Sequence, residues 1–206
     1  MKSLPTSHPY FRHQKLWSVR DVVLLLAAGA ILMAGGCGSP QATRNRVLPD
    51  LTLVDQNGQP VVLSSLSGKP LLVDFIYTSC PGPCRTITQS MERIAAKLGP
   101  ALGPQVTFVS ISIDPEHEGP PQLLHYAKSL NADRRGWLFL SGGPADIDSA
   151  LTTFHLKRER SSSGEIEHLE RVILIGADGR TFKVYTGAVL HPDSVMADLR
   201  RAGERG

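Results

Sequence analysis

The stretch LLVDFIYTSCPGPC, residues 71–84, decides how the fold is read. Its first half is mostly apolar and of strand length, as a strand covered on both faces must be. Its last five residues set Cys80 and Cys84 around Pro-Gly-Pro. The run that follows, TITQSMERIAAKLG, puts Ile87, Met91, Ile94, Ala95 and Leu98 at helical spacing, and Gly99-Pro100 ends it. A central strand therefore hands over to a helix, with both cysteines at the junction. Open α/β sheets place their sites at such junctions.

Pro83 suits a first helical turn, where its fixed φ and missing N–H do no harm. Cys84 then lies in that turn and Cys80 at or just before it. At a separation of i,i+4 both sulfurs can face one side. The positive end of the helix favours thiolate over thiol. Such thiolates attack disulfides or bind soft metals. A bridge across three residues would constrain the unfolded chain very little, which argues against a purely structural disulfide. Thiol oxidoreductases of the thioredoxin type use two intervening residues, whereas the three here give the sulfurs more freedom to spread around a metal. Copper, as Cu(I) or Cu(II), accepts two thiolates completed by an imidazole.

The rest of the chain reads as alternating strands and helices. LTLVD (51–55) and VVLSSL (61–66) form a hairpin about an Asn-Gly turn. VTFVSISID (106–114) and WLFLSG (137–142) are further strands. Helices are expected over 121–130, 144–156 and 191–203, and a hairpin over 171–187 turns at Asp178-Gly179. RERSSSGEIE (158–167) is a polar interruption of flexible composition. The order β-β-β-α-β-α-β-α-β-β-α is an α/β pattern. SGGP at 141–144 lacks the Gly-Lys-Ser/Thr of a phosphate loop and is a turn.

The chain has 206 residues, and its N-terminus reads as an export signal. Lys2, Arg12, Lys15 and Arg20 precede VVLLLAAGAILMAGG, fifteen uncharged residues from Val22 to Gly36, and Cys37 follows. That run is short of the roughly 20 residues a membrane-spanning helix needs, the alternative being an uncut signal-anchor extended by the uncharged Cys37, Gly38 and Ser39. Small residues before a cysteine resemble a bacterial lipoprotein signal, with Cys37 lipidated and the protein held at the membrane by its acyl chains. Residues 1–36 are then a signal peptide, 37–48 a tether and 49–206 the folded domain. The formal charge of +3 belongs entirely to the leader: four cations and Asp21 lie there, leaving 18 cations and 18 anions after it. The mature part has no basic run and no nucleic-acid motif. In an exported protein, Cys80 and Cys84 meet an oxidising compartment.

Seven histidines are candidates for a third ligand. His8 and His13 leave with the leader. His117, between two glutamates, reads as solvated. His125 and His155 lie in helical patterns as surface residues, and His191 starts the last helix. His168 stands apart, directly before the apolar strand VILIG.

VDFIYTSCPGPC, then VSISIDPE, then EHLERVILIGADGR resemble the Sco/SenC family of copper chaperones, from about Leu48 to Arg201. The resemblance implies a thioredoxin-like fold, here with an N-terminal β-hairpin extension. It also implies copper ligands Cys80, Cys84 and His168, the last eleven residues before the hairpin Gly179. The family delivers copper to the binuclear copper centre of cytochrome c oxidase, or keeps its cysteines reduced. The implied partner is the copper-bearing oxidase subunit or another copper or thiol client. The N-terminal signal and Cys37 place the protein outside the cytoplasm and at the membrane, as an expected periplasmic lipoprotein. Three positions depart from the family pattern: Arg85 replaces a common Pro, Glu167-His168-Leu169 replaces Asp-His-Ser, and Glu118-Gly119-Pro120 replaces Asp-Thr-Pro. Glu167 can support the His168 ring as a carboxylate.

The alternative is a thiol-disulfide oxidoreductase acting on extracytoplasmic protein thiols through the redox pair Cys80 and Cys84. LLVDFIYTSCPGPC also resembles the thioredoxin active-site strand. Asp74, six residues before Cys80, matches the buried acid that moves protons there, or else faces an edge of the sheet and is solvated. Against this, the segment 165–172 lacks the peptide-docking Pro and carries His168. A peroxiredoxin is excluded, since neither cysteine has Thr three residues ahead.

Overall fold

The computed structural model describes residues 48–162, 164–167 and 170–205. The leader, Cys37, most of the tether and His168 lie outside them. The fold opens with a hairpin of β1 (Thr52–Asp55) and β2 (Pro60–Val62), in which Thr52 faces Val62 and Val54 faces Pro60. Its turn is held by Asp55, whose carboxylate accepts the backbone N–H groups of Asn57 and Gln59, both at 2.8 Å. The second arm is shorter than the sequence suggests, because Leu63–Leu66 is a 3-10 turn. Two serines cause this: Ser65 donates to the Val62 carbonyl at 2.6 Å, and Ser64 to Asp50 at 2.8 Å. Local hydroxyl bonds of this kind compete with a strand ladder.

Strand β3 (Leu71–Ile76) has all six residues buried, as does β4 (Thr107–Ser112). Helix α1 (Pro83–Leu98) connects them, and the two strands run parallel. Helix α2 (Pro120–Ser129) leads on to β5 (Trp137–Ser141), again parallel. Helix α3 (Pro144–Thr153) follows. Each of these helices has Pro at its first turn, where the ring removes only an N–H that has no partner in the helix. The chain closes with β8 (Arg171–Ile175), β9 (Thr181–Thr186) and α4 (Pro192–Gly203). The sheet order is β2-β1-β5-β4-β3-β8-β9, with β8 antiparallel to β3. The α/β expectation holds, and β3, which carries the cysteine loop, sits well inside the sheet.

A second element departs from the sequence reading. The polar run 158–167 contains a small hairpin of β6 (Glu159–Arg160) and β7 (Ile166–Glu167) rather than a featureless loop. Arg158 anchors it, reaching both carboxylate oxygens of Glu116 at 2.8 and 2.9 Å and Asp148 at 2.8 Å. Arg160 adds a bond to Asp114.

Candidate metal and thiol centre

The last residues of β3 deliver the chain to the end of the sheet, where Tyr77 begins the cysteine loop. Glu118 buckles this loop to the one after β4. Its carboxylate accepts the Thr78 backbone N–H on one oxygen and the Ser112 hydroxyl, at 2.6 Å, on the other. It is buried with both oxygens satisfied. The loop then turns into α1 at Pro83, so that Cys84 stands in the first turn and Cys80 just ahead of it.

The two sulfurs come together as the spacing predicts. The Cys84 backbone N–H donates to the Cys80 sulfur at 3.5 Å, and both cysteines are free thiols. They differ in setting: Cys84 is fully buried, and Cys80 is half-buried. Burial pushes the Cys84 thiol far above the usual thiol range, and its hydrogen bond with Cys80 adds to the rise. A hydrogen bond from the Tyr77 backbone opposes it. The helix start was expected to favour thiolate, but at Cys84 desolvation of the charged form prevails. Below the pair, Thr88 donates to the Cys84 carbonyl at 3.0 Å, and the Tyr126 phenol meets Thr88 at 3.0 Å.

Tyr77 ties the loop to the small hairpin. Its phenol bonds the Cys80 side chain and receives the Ile166 N–H, and burial with the adjacent Cys80 pushes it up to about 12. Asp74 lies in β3 at full burial, so it does not face solvent. One carboxyl oxygen accepts the Ser110 hydroxyl at 2.6 Å, and Ser110 accepts the Trp137 indole N–H at 2.9 Å. The other oxygen has no partner among the described residues. Burial raises its pKa from 3.8 to about 7.

The other predicted residues separate clearly. His125 and His155 are exposed, and His191 caps α4 without a side-chain bond. His117 is exposed but not free, since its ring meets Asp114 at 2.8 Å. Arg85 is exposed on α1. His168 and Cys37 lie outside the described residues, and within those residues no group of three or more His, Cys, Asp or Glu side chains is set to hold a metal. Two soft sulfurs at one helix start fit copper as donors, and a third donor remains to be supplied. Glu118 and Tyr77, which tie the cysteine loop to its neighbours, were not legible in these roles, because a charged or aromatic side chain in a loop has no periodicity to mark it.

The profile of the SCO1/SenC family matches residues 39–204. The chain belongs to the SCO1/SenC family. The SCO1 protein homolog of Bacillus subtilis (strain 168) is 32% identical over 188 residues, covering 88% of this chain and 97% of that protein. Bradyrhizobium japonicum ScoI, solved with copper bound, is 31% identical with a TM-score of 0.64, covering 74% of this chain and 96% of that one. BsSco is 30% identical with a TM-score of 0.68, covering 79% of this chain and 96% of that one. It is a member of the Sco family of cytochrome c oxidase assembly proteins, and a disulfide switch is identified in it. These likenesses establish the thioredoxin-like fold of the Sco proteins for this chain.

Proposed function

We propose that this protein binds one copper ion as cargo through Cys80, Cys84 and His168 and serves the assembly of cytochrome c oxidase. It delivers copper to the oxidase's copper centre or keeps that centre's cysteines reduced. The observation that carries this is the meeting of two free thiols at the start of α1, with the Cys84 N–H on the Cys80 sulfur at 3.5 Å. Copper-bound and oxidase-assembly relatives at about a third identity support it. In the dithiol state the pair grips metal. A Cys80–Cys84 disulfide has no thiolates to offer, so oxidation releases copper. The protein works outside the cytoplasm, held at the membrane by lipid on Cys37.

The thiol-disulfide oxidoreductase reading is favoured by one observation: a half-buried Cys80 over a buried Cys84, with the orphaned carboxyl oxygen of Asp74 inside the same core. Copper titration of the reduced protein separates the two. Cu(II) bound one per chain, with a thiolate-to-copper absorption band that His168→Ala removes, supports the copper reading. Cys80→Ala is expected to abolish tight Cu(I) binding, and full Cu(I) affinity in that variant would sink the site. No copper retention, with ready turnover of a disulfide substrate, selects the oxidoreductase.

A further inference from the structure

Two clefts flank the cysteine loop, and they differ in charge. One, of about 410 Å³, lies toward the small hairpin and includes Glu165 beside Tyr77 and Pro81. The other, of about 510 Å³, runs between the start of α1 and α2. Among the described residues its walls include Thr78, Arg85, Gln122, His125, Tyr126 and Ser129, and no carboxylate. Helix α2 has no Asp or Glu, and α1 has none before Glu92. Glu118, next to α2 in sequence, is buried and already holds Thr78 and Ser112. Among the described residues nothing neutralises Arg85, which is exposed, as is His125. Thr78 and Arg85 bracket Cys80 and Cys84 in the chain, so whatever enters this cleft rests against the redox loop itself.

We propose that the cleft between α1 and α2 seats a carboxylate of the client polypeptide, and that Arg85, assisted by His125, makes the cysteine pair select acidic client segments. This rests on the reading of Cys80 and Cys84 as a thiol pair that reacts with client sulfur. A cation at the cleft wall attracts an incoming anion and raises its local concentration before sulfur meets sulfur. An acidic residue next to a client's disulfide or dithiol is thereby drawn to the face where Cys80 is reachable.

The test compares two small disulfides, the dianionic dithiobis(nitrobenzoate) and the neutral dithiodipyridine. The full chain is used in detergent with Cys37→Ser, which leaves Cys80 and Cys84 as the only thiols. The Cys80 thiolate attacks one probe sulfur, forming a mixed disulfide and expelling one aromatic thiolate. Cys84 then loses its proton to solvent and attacks the Cys80 sulfur, expelling the second. The protein gives up two electrons as the Cys80–Cys84 disulfide forms, and the probe takes them as two thiolates. The same Cys80 thiolate attacks both probes, so any change in its population cancels in the ratio of their rates. Arg85→Gln is expected to lower the dianion-to-neutral ratio about fivefold, the effect of one close charge pair in water. Arg85→Lys should hold the ratio, and His125→Gln should lower it less. Salt near 1 M should bring the wild type toward Arg85→Gln. Equal ratios in the wild type and Arg85→Gln overturn the inference and leave the thiol pair standing. Release of aromatic thiolate from neither probe overturns the thiol-pair reading, and this inference with it.

Discussion

Asp74 occupies a strand position where every neighbour is apolar or already bonded, and its carboxyl has one oxygen without a partner among the described residues. Its pKa of about 7 in the fold exceeds the ordinary 3.8, so the folded protein holds an extra proton between those values. Stability therefore falls as pH rises through that window, by up to about 1.4 kcal/mol per pH unit, and levels off above it. Asp74→Asn is expected to flatten the decline between pH 5 and 7, read from urea unfolding at each pH. An unchanged slope would assign the titration elsewhere. The sequence marked Asp74 by its distance from Cys80 but left its burial open. A lone acid in an apolar run is buried only if something covers both faces of the strand. Ser110 and Trp137, which receive it, stand 36 and 63 positions farther along the chain. The cysteines divide in the same way. Their approach follows from spacing alone, whereas the burial that raises Cys84 depends on what packs over it.

Among the elements, long periodic ones were legible and short ones were not. Strands β3 and β4 are strand-length runs rich in apolar residues, and α1 repeats its apolar residues at helical spacing, so each was visible locally. The β6–β7 hairpin has strands of two residues, too short for alternation to register. It is held by distant charge: Arg158, with only 15% of its side chain exposed, bonds Glu116 and Asp148, and Arg160 bonds Asp114. Arg158→Ala is expected to cost about 1–3 kcal/mol, since it removes charge-assisted bonds from a largely covered side chain. The loss should be local. Hydrogen exchange of the Ser161 amide, bonded to the Glu165 carbonyl at 2.8 Å, should accelerate while the β3 amides keep their protection. Uniform acceleration across both would mean that Arg158 supports the whole domain rather than the hairpin.

For the whole molecule, charge and hydropathy separate a basic, apolar N-terminal stretch from a neutral remainder, and the family match begins at residue 39, just past Cys37. Among the described residues no helix is long and apolar enough to cross a membrane. The attachment proposed for Cys37 rests on acyl chains, which bury methylene groups in the bilayer. Cys37→Ser is expected to move the protein from the membrane to the soluble fraction while copper binding by the reduced domain persists. A variant that still sediments with membranes would show the apolar run itself to be the anchor.

The sequence by itself determined the α/β class, the strand-to-helix junction and the placing of Cys80 and Cys84 within reach of each other. These depend on residues close along the chain, and a period or a spacing expresses them fully. Only the tertiary structure decided that Cys84 and Asp74 are desolvated, that Glu118 buckles two loops, that arginines pin the small hairpin, and that the cleft beside Arg85 has no carboxylate among the described residues. Each of these depends on groups brought together from distant parts of the chain. Burial and local field are properties of the surroundings, and the surroundings exist only once the sheet has assembled.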